Sequence, residues 1–492
     1  MTNLLMNHAT DRTKQASGAR TLSLAVGLAL TLGGCMSLAP TYQRPAAPVA
    51  AVFPEASPAS GEAAAQIEWQ RFFADPRLKD LISQALANNR DLRVAILNIE
   101  QARAQLQIRR ADQYPSVGLG VSGSRVTTGD EGIKSSYTAG VAVSSFELDL
   151  FGRVKSLSNV ALAQYLATEE ARKSTHISLI ASVANAYLAL LADEELLALT
   201  QKTLAAREES LKLIQLKYDN GVVSKLDLQQ GLSLVDSARV ILSQQLRLRA
   251  QDRNLLTLLV GQPIAADPAA GTTLAATDLA ELPAGLPSDL LTVRPDIRAA
   301  EQQLIAANAN IGAARANFVP RIALTGSAGS ASGELSGLFK SGSFGWTFAP
   351  SLVLPIFDFG RNQATLDAAR AGRDIAVAQY ERAIQGAFRE VADALAGQAT
   401  LSDQLRSQRA VAAAEQERFN LSDLRYRSGA SSYLDLLDAQ RSLFAAQQSA
   451  VQANLQRLQN QVTLYRVLGG GWRADSATAA RSAAPANAPA TP

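Results

Sequence analysis

Cysteine is almost missing from this chain: Cys35 is the only one in 492 residues. A disulfide framework within the chain and a cysteine-based zinc site are excluded. Histidine is nearly as scarce, with only His8 and His176. An imidazole-based catalytic or metal centre therefore has little to be built from. Acid and base nearly cancel, 47 Lys+Arg against 44 Asp+Glu, so there is no basic footprint for nucleic acid. A phosphate loop of the form Gly-x-x-x-x-Gly-Lys-Ser/Thr is also absent. Beyond the N-terminal leader no stretch reaches 18 uninterrupted apolar residues, so no transmembrane helix is expected. Hydrophobic residues still make up 47%, enough to bury a core. Aromatics at 5% with abundant alanine favour long, closely packed helices.

The leader is readable. Arg12, Lys14 and Arg20 precede a short apolar run over residues 21–31, too short to span a bilayer. Leu32-Gly33-Gly34-Cys35 follows. Small residues before a lone cysteine resemble a lipobox, which makes residues 1–34 a lipoprotein signal peptide. Cys35 then becomes the acylated first mature residue. Several acyl chains, each contributing about 0.8 kcal/mol per buried CH₂, anchor a protein firmly. An ordinary signal peptide with an incidental cysteine is the alternative.

Missing proline and glycine shape the rest. No proline lies between Pro115 and Pro263 or between Pro355 and Pro485, and residues 153–220 also lack glycine. A helix through them runs roughly 100 Å. Val183, Leu190, Leu197, Leu204, Leu211 and Tyr218 recur every seven residues, the coiled-coil period. Leu191, Leu199, Leu213 and Leu216 widen the stripe beyond one seam, as a helix flanked on both sides requires. A turn at Tyr218-Asp219-Asn220-Gly221 leads to a second helix from about Lys225 to Val260, completing an antiparallel hairpin.

This unit occurs twice. Phe151-Gly152-Arg153 recurs as Phe359-Gly360-Arg361, Tyr218-x-x-Gly221 as Tyr426-x-x-Gly429, and Asp227-Leu228 as Asp435-Leu436, always at an offset of 208. Matches in one order at one offset are a duplication. Each copy also carries a strand hairpin. Val117, Leu119 and Val121 alternate with small residues, as do Tyr137, Ala139, Val141 and Val143. In the second copy Ile322 and Leu324 start a strand, and Phe344, Trp346, Phe348, Leu352, Leu354 and Ile356 form its partner. Period-2 alternation over about ten residues is the pattern of a transmembrane β-barrel. A soluble sheet alternates too. Four strands cannot close around a wide pore, and lipid tolerates no open edge, so the membrane reading demands an oligomer. Three chains give twelve strands, a number that follows only once a trimer is assumed.

The chain resembles the TolC-type outer-membrane efflux factors, specifically the NodT-like lipoprotein branch. The likeness is carried by residues 35–45, by residues 73–78 and by residues 87–92. It is strongest over residues 294–316, which open Arg294-Pro295-Asp296-Ile297-Arg298, and continues at residues 350–357, 434–441 and 468–472. The resemblance implies a mainly α fold with a small β part. Two repeats of long helical hairpins contribute four strands to a trimeric 12-stranded barrel, which continues into a periplasmic α-helical barrel. It implies a homotrimeric, non-enzymatic exit duct in the outer membrane, palmitoylated at Cys35 and without cofactor or metal. Its partners are a periplasmic adaptor protein and an inner-membrane pump of the RND type, with outer-membrane lipid around it. The expected layout is an N-terminal extension 35–77, a first repeat 78–262 (β-hairpin 115–148, long helix 153–220) and a connector 263–289. A second repeat 290–472 (β-hairpin 320–357, long helix 361–428) and a disordered tail 473–492 complete it.

A duct needs a gate, expected at the periplasmic tips. Asp435, Asp438 and Arg441 lie three apart and share a helix face. On a three-fold axis one aspartate per chain makes a ring of carboxylates that attracts cations. The resemblance implies a constriction at Leu434, Asp438 and Arg441, with Asp435 beside them and Arg441 partly neutralising the ring. Asp227 is the equivalent at the first tip. A helix N-terminal turn, where the dipole favours aspartate, is the competing reading. Tyr218 and Tyr426 are either latch groups or the last heptad residues. Gly221 and Gly429 are turn residues that also leave room for an adaptor hairpin. His176 reads as structural. Asp149 and Asp358 help the passage from strand to helix, and loops 128–134 and 332–342 face outside. Two rival functions stand beside the duct: a periplasmic coiled-coil structural or adaptor lipoprotein, and a lipoprotein enzyme.

Overall fold

The computed structural model describes residues 37–54, 63–127, 133–264, 269, 271–277, 279–280, 282 and 287–472. The leader, Cys35, most of loop 128–134 and the tail lie outside them. Helices α1 (Pro76–Asn88) and α2 (Arg90–Ala111) precede strands β1 (Val117–Thr127) and β2 (Ile133–Leu148). Helices α3 (Arg153–Asp219) and α4 (Lys225–Val260) follow. The second copy holds α5 (Pro295–Arg315), β3 (Arg321–Ser332), β4 (Phe344–Val353), α6 (Arg361–Arg427) and α7 (Tyr433–Val467). Both α3 and α6 run 67 residues, about 100 Å each, and their ends are 208 residues apart, as the duplication requires.

Compactness divides the chain differently from the repeat. Among the described residues, one unit takes those within 37–45, 101–166 and 302–378; the other takes those within 46–100, 167–301 and 379–472. Each draws on both copies, because α3 and α6 are long enough to pass through both.

The first unit contains the sheet, antiparallel in the order β1-β2-β3-β4. Its register lines up Leu119 with Val141, Val141 with Ala328, and Ala328 with Trp346. One face therefore collects the apolar residues. Leu119 is 81% exposed and Trp346 72%, so this face has no protein cover among the described residues. The opposite face is small and polar, with Ser122 and Thr138 hydroxyls 2.7 Å apart and those of Ser327 and Thr347 likewise. Gly140 pairs with Gly329, and a Cβ on either would collide with the other strand's backbone. A bulge between Val143 and Phe146, with Ser145 at φ 52°, keeps Phe146 and Leu148 on the apolar face. Strand β4 stops at Val353, short of Leu354 and Ile356, because Pro355 has no N–H to offer a ladder. Pro350 is accepted because β4 is an edge strand.

Two similar turns feed the long helices. Asp149 Oδ2 accepts from Lys155 N at 2.7 Å. Asp358 accepts from Gly360 N at 3.0 Å and Asn362 N at 2.9 Å. Both aspartates thus satisfy amide groups that a helix start leaves open.

The second unit packs around aromatic rings. Phe72 stacks on Tyr465 at 4.0 Å, and Tyr465 Oη donates to the Ile67 carbonyl at 2.6 Å. Arg294 is buried; it donates to both Asp296 oxygens, to Glu390 and to the Val467 carbonyl at the end of α7. The heptad row of α3 is fully buried at Val183, Leu190 and Leu197, while Leu213 and Leu216 on its flank stay exposed. By length and composition α3 is apolar enough to cross a membrane, but that window is largely buried, as in a core helix.

Candidate functional site

The two hairpin tips are built alike. At the first, Gly221 adopts φ +74°; its N–H donates to the Tyr218 carbonyl and Val222 N–H to that of Lys217, both at 2.8 Å. At the second, Gly429 adopts φ +77°; its N–H reaches Tyr426 O at 3.1 Å and Ala430 N–H reaches Arg425 O at 2.8 Å. These are Schellman closures, which need a left-handed residue. A Cβ at either glycine meets nothing within 4 Å, so the backbone angle, rather than space, selects glycine.

The following helix is capped identically. Ser224 Oγ accepts from Asp227 N at 3.2 Å, and Asp227 Oδ2 accepts from Ser224 N at 3.0 Å. Ser432 and Asp435 repeat this at 3.3 and 3.2 Å. Asp227 and Asp435 are thus capping-box residues, the competing reading of the sequence. Asp438 differs. It is exposed and ion-paired with Arg418 of α6, which also donates to Glu415 at 3.1 Å and Ser442 at 3.3 Å. Arg418 rather than Arg441 neutralises Asp438 within one chain. Leu434 is exposed at 55%.

The tips touch through an apolar cluster. Ile214, Leu228, Leu234, Tyr433, Leu436 and Leu437 are buried together, with Tyr218 and Tyr426 packed against them. Lys217 Nζ lies 4.5 Å from the Tyr426 ring centre and donates to its hydroxyl at 3.4 Å. Tyr426 thus joins the two hairpins, whereas Tyr218 only packs. Burial pushes the Tyr433 phenol up to about 12. Gly231 leaves room for that ring: a Cβ there would sit 3.2 Å from Tyr433 Oη. Arg207 is buried, donates to the Leu234 carbonyl at 3.1 Å and lies over Phe444. Burial, helped by the Arg441 charge, pulls it down to about 10. Sequence reading missed Gly231, Arg207 and Arg418; only the hairpin geometry, placing residues 418 and 438 at similar distances from Gly429, signals the last.

His176 is buried beside Trp472, ring centres 5.0 Å apart, and burial, then Arg172, lowers it to about 4. Among the described residues no group of three or more histidine, cysteine, aspartate or glutamate residues could hold a metal.

The profile of the family described as outer membrane efflux protein matches residues 81–262 and 286–470. The chain belongs to the outer membrane efflux protein family. It is 51% identical over 463 residues to the probable efflux pump outer membrane protein TtgC of Pseudomonas putida, covering 92% of this chain and 95% of that one. It is 47% identical to outer membrane protein OprJ of Pseudomonas aeruginosa, over 91% of this chain and 95% of the relative. The open state of the MtrE outer membrane channel of Neisseria gonorrhoeae superposes with a TM-score of 0.82 at 43% identity, covering 88% of this chain and 98% of that one. The mainly α architecture with a small sheet is the one these efflux channels share. This member of the family resides in the bacterial outer membrane, reaches into the periplasm and acts as an exit duct for efflux. Its relatives are channel components of efflux systems rather than enzymes, and the outer-membrane duct function replaces the periplasmic coiled-coil adaptor reading. Several relatives bear names that make them components of efflux pumps.

Proposed function

We propose that three copies close their sheets into one 12-stranded barrel and form a passive duct, without enzymatic activity, gated at the second hairpin tip. The observation carrying this reading is the one-sided sheet, whose apolar face is bare and whose edge strands β1 and β4 each leave their outer edge unpaired among the described residues. In lipid such edges demand closure, and the bare flank of α3 at Leu213 and Leu216 suits a neighbouring helix. The two repeats 78–262 and 290–472 supply equivalent parts to that wall, and lipid on Cys35 adds a second hold on the membrane.

The gate is Asp438 with Leu434 and Arg441, each present three times around the axis. Asp438 is ion-paired with Arg418, so the ring attracts cations without the full cost of three bare carboxylates. Arg441, which has no ion pair among the described residues of its own chain, faces a neighbour's tip. Asp435 and Asp227 hold the helix starts, Tyr426 latches the hairpins, and the exposed turns at Gly221 and Gly429 receive an adaptor hairpin leading to an RND-type pump. Mass in detergent combined with planar-bilayer conductance tests the proposal. A trimer with small, cation-preferring conductance is expected. A monomer without conductance overturns it.

A further inference from the structure

The chain just after the lipobox cysteine lies on α5. Asn308, nine-tenths buried, donates from Nδ2 to the Pro40 carbonyl at 2.7 Å. Arg315 donates from Nη1 to the Leu38 carbonyl at 3.1 Å. Between them sits Gly312, where a Cβ would come within 2.8 Å of Ala39 and 2.7 Å of Ser156 Oγ. Asn308, Gly312 and Arg315 occupy positions i, i+4 and i+7, one face of α5. Ser156, behind the groove, is itself buried, its hydroxyl bonded to the Gly152 carbonyl at 2.5 Å. The groove thus has a floor only glycine permits and two side-chain donors aimed at backbone carbonyls. Carbonyl recognition fixes where the segment lies, not which side chains it carries.

We propose that this groove is a docking site for residues Leu38–Pro40 that positions the lipid anchor. A chain extends at most about 3.6 Å per residue, so acyl groups on Cys35 enter the bilayer within about 11 Å of Leu38. Arg315 lies six residues before the first residue of β3, so docking fixes the anchor beside the point where the sheet begins. Acyl chains and strands then meet the same membrane surface during insertion. The proposal rests on lipidation of Cys35 for its functional part, and on the groove alone for its structural part.

The test uses full-length protein in outer membranes, with a photo-crosslinking amino acid at Leu38. The adduct is expected on the α5 peptide, and is expected to vanish in Gly312→Val and in the double variant Asn308→Ala/Arg315→Ala. A third variant inserts six Gly/Ser residues between Ser37 and Leu38, which frees the anchor while the groove stays filled. It should keep the crosslink and lose membrane-inserted protein several-fold, as the groove variants do. An adduct elsewhere, or one unchanged in both groove variants, overturns the docking. Normal insertion of the linker variant overturns the positioning role. The mass of the N-terminal peptide shows separately whether Cys35 is acylated, so failure of that reading is distinguished.

Discussion

The two hairpin tips share a backbone and differ in charge. Gly221 and Gly429 close the same turn, and Ser224–Asp227 and Ser432–Asp435 make the same capping box. At the offset of 208, however, the ion pair of Arg418 and Asp438 corresponds to Ser210 and Gln230, and Arg441 to Ser233. The first hairpin places its charge farther along, as Arg239 bonded to Glu208 at 2.8 Å, where the second has Gln447 and Gln416. Asp193 and Asp252 of the first become Leu401 and Asn460 of the second. The turns and caps were copied faithfully; the ion pairs between the helices of each hairpin were not. A gate built on charge therefore belongs to one tip of each chain rather than both.

The largest expected difference between the hairpins is in pH response. Burial, with Asp252 and then Glu194, raises Asp193 to about 7. A carboxyl held protonated in the fold but free in the unfolded chain lowers stability as pH rises from about 4 to about 7, and the full loss is present above that. At about 1.4 kcal/mol per pKa unit this amounts to at most about 4 kcal/mol. Asp193→Asn should flatten the slope in chemical denaturation across that window, while Leu401→Asn leaves it unchanged. Equal slopes in wild type and Asp193→Asn would sink this asymmetry.

Next come the glycines. Gly221→Ala and Gly429→Ala each force a side chain into the left-handed region and should cost about 1–2 kcal/mol. Clearly unequal losses would break the claim that the turns are copies. Ser224→Ala and Ser432→Ala should each remove about 1 kcal/mol of capping, again equally. The smallest effect is a graft. Ser210→Arg with Gln230→Asp gives the first tip the second tip's pair, with an expected coupling of about 0.2–1 kcal/mol in a double-mutant cycle; zero coupling would mean the hairpins are spaced differently there.

Much of this was legible in residue order. Missing prolines gave the helix lengths, and the alternation of Val117, Leu119 and Val121 gave a one-sided sheet. The tips were half legible. Ser432-x-x-Asp435 is a capping pattern as well as an acidic gate, and only the hydrogen bonds decide that Asp435 caps. Arg418 was invisible because its partner lies across the turn on another helix. The Leu38–Pro40 groove left no signal, since Asn308 and Arg315 contact carbonyls that every residue possesses. Where β4 ends followed from Pro355, which outweighed the apolar pattern through Ile356.

The most direct measurement compares single-channel conductance of Asp438→Ala with that of Gln230→Ala, its counterpart at the first tip. The account predicts a several-fold rise in resting conductance for Asp438→Ala and none for Gln230→Ala. Equal change in both, or no change in either, would contradict a gate carried by the second tip.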